Sequence, residues 1–157
     1  MAALVQVDRE LQRSLLDIEP FKAEDKLPEL LRSTLVHKGI CFSLRHYFKA
    51  ILSRGPHIAV VTNGAEGVYV ATEKEIIFHT SLPVSIVNTL GAGDAFSSCF
   101  VACLAAGMPP ENALRSGILN ATSVISYLDT KTGLLTKDQL KKQLAKVDTK
   151  LIQRFPL

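Results

Sequence analysis

Hydrophobic positions follow two regimes along the chain, and the change falls near Pro56. Before it, apolar residues recur at helical spacing. Leu4, Val7, Leu11 and Leu15 form one stripe, and a second stretch runs from about Glu24 to Val36 and ends near Gly39. A third, from about Phe42 to Leu52, sets Leu44, Tyr47, Phe48 and Ile51 on one side before Gly55-Pro56 stops it. The pattern predicts a mainly helical segment over residues 1–56. Arg45, His46 and Lys49 lie on the third stretch and are expected to face solvent.

After Pro56 the apolar residues come in short runs. Ile58-Ala59-Val60-Val61 is continuous, as in a strand covered on both faces. Val68-Tyr69-Val70 and Ile76-Ile77-Phe78 predict a hairpin around Glu73-Lys74, and Val84 to Val87 a further short strand. A helix is expected from near Asp94 to Gly107. The next opens on Pro109-Pro110-Glu111, with Leu114, Ile118, Ala121, Ile125 and Leu128 as its buried stripe. Thr136-Lys137-Asp138-Gln139 fits a capping box for a last helix bearing Leu140 and Leu144. Strands followed by helices on this scale predict an α/β layered fold over residues 57–157.

Composition narrows the function classes. With 157 residues, 47% hydrophobic and 21% charged, the chain is an ordinary globular domain. A net charge of +3 is too mild for a nucleic-acid binder, and the basic residues are scattered. Lys137, Lys141, Lys142 and Lys146 read as the solvated face of the last helix. Cys41, Cys99 and Cys103 form neither a C-x-x-C pair nor an even framework, so they read as small buried hydrophobes in a reducing compartment. His37, His46, His57 and His79 lack metal-ligand spacing. No apolar run reaches transmembrane length, and Asp8, Arg9 and Glu10 stand where a signal peptide would be apolar, so a cytoplasmic location is expected. A phosphate loop of the G-x-x-x-x-G-K-[ST] type does not occur.

The chemistry concentrates in Asn88-Thr89-Leu90-Gly91-Ala92-Gly93-Asp94-Ala95-Phe96. A glycine-rich turn into a helix leaves the amides of Ala92, Gly93 and Asp94 without helical partners, and these amides with the helix dipole attract an anion. Gly91 and Gly93 would let a phosphate approach without meeting a Cβ. Asp94 sets a carboxylate beside the same place, a pairing suited to phosphoryl transfer. A lone G-x-G-D also has a plainer reading, since an acid at a helix start is good capping.

The whole run, continuing into the small residues Ser97, Ser98, Cys99 and Ala102, resembles the C-terminal signature of the PfkB family of carbohydrate and nucleoside kinases. Val60-Val61-Thr62-Asn63-Gly64-Ala65-Glu66-Gly67-Val68 resembles that family's strand-turn-strand unit. Pro110 to Ala113, Asn120-Ala121 and Thr130 to Thr136 are similar to its later blocks, in order, over about a hundred residues.

The resemblance implies a ribokinase-like fold and a kinase that uses ATP and Mg2+ to phosphorylate a hydroxyl of a sugar or nucleoside. It implies Asp94 as the general base, with Gly91, Ala92 and Gly93 forming the anion hole over the γ-phosphate. Thr62, Gly64 and Gly67 would line the nucleotide's phosphate and ribose side, Asn120 would lie near the adenine, and Asn88, Thr89 and Gly133 would belong to the nucleotide surroundings. Gly64 and Gly67 could instead serve a hairpin, and Asn120 could be an exposed helix residue.

Two departures stand out. Asn88 replaces an aspartate that the family associates with a monovalent cation such as K+, which puts that cation in question here. The family's N-terminal half, with its sugar-contacting residues and lid, finds no counterpart before Pro56. The chain is then a fragment, a truncation or a split gene product, and is expected to cover an open sheet edge and apolar face by self-association or with a missing half. The alternative function is a non-catalytic nucleotide-binding or oligomerising module, and a relic without ligand is a third reading.

Overall fold

The computed structural model describes residues 27–157. The expected helix over Leu4–Leu15 lies outside them. Two compact units divide the chain. One takes the chain up to Val61 with Val70–Ile76 and Arg154–Leu157, and the other takes Thr62–Tyr69 and Ile77–Gln153.

The first unit corrects the largest expectation. Among the described residues, only Glu29–Arg32 is helical (α1) within the stretch read as a helix to Val36. Leu35–His37 (β1) instead pairs antiparallel with Ile40–Phe42 (β2), with Val36 opposite Cys41. Between them stand Lys38 and Gly39, with φ of +49° and +80°. Positive φ at both positions gives the two-residue turn whose twist matches its strands. Gly39 is thus a turn residue and not a helix stop.

The third expected helix is present over Leu44–Leu52 (α2), starting later because Ser43 caps it: its Oγ accepts from the His46 amide. Such a cap contributes about 1 kcal/mol. Tyr47 and Ile51 pack with Phe42 and Ala50. Lys49 is exposed, as expected. Arg45 and His46 are half-buried, and Arg45 Nε donates to the Pro156 carbonyl at 3.2 Å, so these two do not simply face water.

Ile58–Thr62 (β3), Val68–Thr72 (β4), Glu75–His79 (β5) and Ile152–Pro156 (β6) form a sheet in the order β3-β4-β5-β6. The hairpin across Glu73-Lys74 is as predicted, and the Thr72 hydroxyl accepts from the amides of Lys74 and Glu75. The Tyr69 and Phe78 rings lie 4.7 Å apart, a contact contributing about 1 kcal/mol beyond burial. β3 is not covered on both faces: Val60 is exposed, and among the described residues the strand lies at the sheet edge. β6 was not predicted from the sequence; Arg154 in it pairs with Glu75. The expected strand over Val84 to Val87 is irregular chain, because the Val87 amide is taken by the Ile125 carbonyl.

The second unit carries three further helices, Ala92–Ala105 (α3), Pro110–Val124 (α4) and Lys137–Leu144 (α5). α3 and α4 meet at Gly117, where a Cβ would lie 2.8 Å from the Phe96 ring, so only glycine allows this approach. Phe96 stacks on Phe100 at 5.6 Å. Leu114 and Ile118 are buried as expected, but α4 ends at Val124, and Leu128 beyond it is exposed. The Thr136–Gln139 capping box forms, and the four lysines around α5 are exposed.

Cys103 is buried and Cys99 half-buried beside it, while Cys41 is exposed, so the burial expected of all three fails for Cys41. Burial first, and the neighbouring Cys103 second, push the Cys99 thiol up to about 12. Among the described residues no His, Cys, Asp and Glu gather into a metal-binding group, and no helix is long and apolar enough to cross a membrane.

Candidate phosphate and nucleotide site

Every residue singled out for the site falls in the second unit. At its centre is the start of α3. Gly91 is the N-cap, with φ +80°, and a Cβ there would lie 2.8 Å from Thr130 Cγ2. Glycine at 91 therefore answers to backbone conformation and to Thr130. Gly93 differs: it sits in the helix, and a Cβ on it would meet nothing within 4 Å. The space a side chain would take there is open.

The amide of Ala92 donates to the Thr89 carbonyl at 3.3 Å, and the helical ladder begins with Ala95 to Gly91 at 2.8 Å. This corrects the expected donor set. Ala92 is engaged in a turn, and the amides of Gly93 and Asp94 have no backbone acceptor among the described residues. Asp94 is exposed in the first turn, and among the described residues no hydrogen bond holds its carboxylate. The capping reading would have its carboxylate reach back to the Gly91 amide, and no such bond forms.

Two segments brace this helix start. In the first, Asn88 Nδ2 donates to the Leu128 carbonyl at 2.8 Å, and Oδ1 accepts from the Leu90 amide at 3.0 Å. The amides of Val87 and Asn88 both donate to Ile125. In the second, Asp129 folds the loop that presses Thr130 on Gly91. Its Oδ1 accepts from the amides of Lys131 and Thr132, and its Oδ2 from the Thr132 hydroxyl at 2.6 Å. The hydroxyl of Thr132 first, then the two amides, hold the Asp129 carboxyl down at about 2. Thr130 and Asp129 were not singled out from the sequence, though Asp-x-x-Thr is a recognisable self-bonding turn.

Asn120 is buried, which overturns its reading as an exposed helix residue. Nδ2 donates to the Ala95 carbonyl and Oδ1 accepts from the Leu135 amide, each at 2.9 Å. With both ends of the amide engaged, it ties α3, α4 and the approach to α5 together. Gly133 is buried against the end of α4, where a Cβ would lie 2.6 Å from the Ser123 carbonyl oxygen and from Val124 Cα.

The Thr62–Gly67 turn is held against the end of β5. Thr62 is exposed, and Gly64, with φ +51°, accepts through its carbonyl from the Ser81 hydroxyl at 2.9 Å. Gly67 has φ +131°, and a Cβ there would strike the His79 carbonyl oxygen. His79 itself is fully buried: Nδ1 bonds the Thr80 carbonyl at 2.6 Å and Nε2 has no partner among the described residues. Burial, the largest influence, and the Arg115 guanidinium hold this imidazole below its ordinary value, against the opposing Thr80 bond. A neutral ring with its hydrogen on Nδ1 follows.

The sequence model for pfkB family carbohydrate kinases matches residues 38–137, taking in β2 and α2 upstream of Pro56. The chain is similar to the 1-phosphofructokinase of Haloferax volcanii, 35% identical over 79 residues, or 50% of this chain and 26% of that protein. It is also similar to the fructoselysine 6-kinase of Escherichia coli, 32% identical over 116 residues, or 68% of this chain and 44% of that protein. It thus spans less than half the length of either relative. Among solved structures, Thermotoga maritima ribokinase superposes with a TM-score of 0.57 at 24% identity, covering 66% of this chain and 34% of that one. Escherichia coli phosphofructokinase-2 in complex with potassium gives 0.55 at 24%, with 66% and 34% covered. These likenesses show a ribokinase-like fold. The four sequence blocks, the helix start they assemble and the match over residues 38–137 agree, and the chain belongs to the PfkB family of carbohydrate kinases.

Proposed function

We propose that the chain is the phosphate-binding, catalytic part of an ATP-dependent kinase that phosphorylates a hydroxyl of a sugar or nucleoside. The observation that carries this reading is the pairing at the start of α3 of two amides without helical partners, on Gly93 and Asp94, with an exposed carboxylate on Asp94. The amides hold the negative charge of the transferring phosphoryl group, and Asp94 takes the proton from the attacking hydroxyl. That oxygen bonds to phosphorus as the bond to the ADP leaving group breaks. Gly93, open on its outer side, fits a phosphate; Mg2+, when bound with ATP, would neutralise charge on the phosphate oxygens. Thr62 and the Gly64–Gly67 turn are assigned to the nucleotide, and Thr89, exposed beside Gly91, to its phosphates.

The bridging of Asn88 does not suit a monovalent cation. Its side-chain oxygen is bonded to an N–H, and its NH2 faces a carbonyl, so the donor set repels a cation where lone pairs would be needed.

Mg-ATP titration by calorimetry tests the proposal, followed by a screen of sugars and nucleosides for phosphorylated product. Binding with product supports the kinase, and absence of ATP binding overturns it. A second reading rests on the exposed Ile86, Val87, Leu90 and Val101 and on the short span of the relatives covered. In it the chain binds nucleotide and associates with a second copy or a missing half, and ATP binding without product would favour it.

A further inference from the structure

We propose that Asn88 is a positioning residue whose carboxamide bridges two backbone segments as a cation between oxygens would, so that the phosphate site is built without a monovalent cation. The orientation of the amide is fixed by its partners. Leu128 offers only a carbonyl oxygen and Leu90 only an N–H, so Nδ2 must face the first and Oδ1 the second. Reversal would set oxygen against oxygen and hydrogen against hydrogen.

An aspartate in the same place shows what the amide replaces. Its second oxygen would lie where Nδ2 now sits, 2.8 Å from the Leu128 carbonyl oxygen in this geometry, with no proton between them. Two oxygens so close, one carrying negative charge, repel unless a cation enters. The position is open to ions, since Leu128 is 80% exposed and Asn88 partly exposed. Asparagine removes the charge and supplies the hydrogen in one change.

The bridge bears on the site because the 125–130 segment is continuous with it. Ile125 accepts from the Val87 and Asn88 amides, Leu128 from the Asn88 side chain, and Thr130 two residues on lies against Gly91, the cap of α3. Loosening the contact at Leu128 frees the loop that backs the helix start. The proposal rests on assigning the start of α3 to phosphate, but its first readout does not need ATP.

Thermal unfolding of the full chain and of Asn88→Asp and Asn88→Ala would be followed in KCl and in tetramethylammonium chloride at equal ionic strength. The wild-type midpoint is expected to be the same in both salts. Asn88→Asp should melt several degrees lower in tetramethylammonium and recover in KCl, whereas Asn88→Ala should be lower in both. Wild type stabilised specifically by K+, or Asn88→Asp indifferent to the cation, overturns the proposal. Should Asn88→Asp fail to fold in either salt, the wild-type comparison decides alone. A Mg-ATP affinity of the wild type raised about tenfold or more by K+ also overturns it. No ATP binding in either salt sinks the kinase reading and leaves the thermal comparison standing.

Discussion

Gly91 and Thr130 are packed so closely that a Cβ on the glycine would lie 2.8 Å from Thr130 Cγ2 and 2.9 Å from its Cβ. The loop after α4 therefore sets the entry into α3. Gly91→Ala meets both this contact and a φ of +80°, and is expected to lose about 1–3 kcal/mol of stability. Chemical denaturation measures it. Thr130→Ala removes Cγ2 but keeps the Cβ, so pairing the two changes should recover only part of the loss.

Gly93→Ala separates fold from ligand. In a helix and with nothing within 4 Å of its Cβ, the alanine is expected to stabilise α3 by about 0.5–1 kcal/mol. A phosphate at the site proposed for the start of α3 would meet this methyl group, so Mg-ATP affinity should fall. A rise in melting temperature with weakened titration is the expected pair of results, and unchanged affinity would remove Gly93 from the phosphate site.

Asp94→Asn keeps the size of the side chain and removes the base. Turnover on the acceptor found by screening should fall by about 10²–10⁴, with nucleotide affinity nearly unchanged. Rate assays and calorimetry on the same preparation give both numbers, and turnover that survives would take the proton-accepting role from Asp94.

Asn120→Ala leaves the Leu135 amide without its partner and removes one bond from the Ala95 carbonyl, which still accepts from the Ser98 hydroxyl. An orphaned amide costs about 1–3 kcal/mol, so a loss of stability of that order is expected from denaturant melts. If Asn120 instead served the adenine, the change would weaken ATP binding and leave the melt unmoved.

His79 gives the stability a pH dependence. Its folded value lies below the ordinary one, so the unfolded chain takes up the proton more readily. Its stabilisation is full above about pH 6.5 and is lost as pH falls below that toward the folded value, with a slope of at most about 1.4 kcal/mol per pH unit. His79→Leu should flatten that part of the curve of stability against pH, and an unchanged curve would show the ring is not the group responsible.

Local signals were readable where they were self-contained. The Thr136–Gln139 box, the Glu73-Lys74 hairpin and the glycine turn into α3 each depend on a few adjacent residues, and each formed. The failures have a common cause in partners distant along the chain. Lys38-Gly39 ends a helix or turns a hairpin according to whether residues 35–37 find a strand, and they find 40–42. Residues 84–87 carry strand-forming side chains, yet their backbone is claimed by Ile125, nearly forty residues on. Arg154 reveals β6 only through Glu75. In the site, the glycines and Asp94 were legible from type and spacing. The roles of Thr130 and Asn120 were not: Thr130 acts from a loop through contact with Gly91, distant along the chain, and a polar residue on a helix such as Asn120 shows its burial only once the helix has packed.

The unequal settings of the three thiols make the chain a ready platform for spectroscopy. Thiol alkylation proceeds through the thiolate, which Cys99 withholds with a value near 12 and Cys103 shields by burial. A maleimide dye near neutral pH should therefore attach at exposed Cys41 on β2, opposite Val36. One fluorophore would then report on the 35–42 hairpin without substitution of any native residue, while the thiols of α3 stay unmodified.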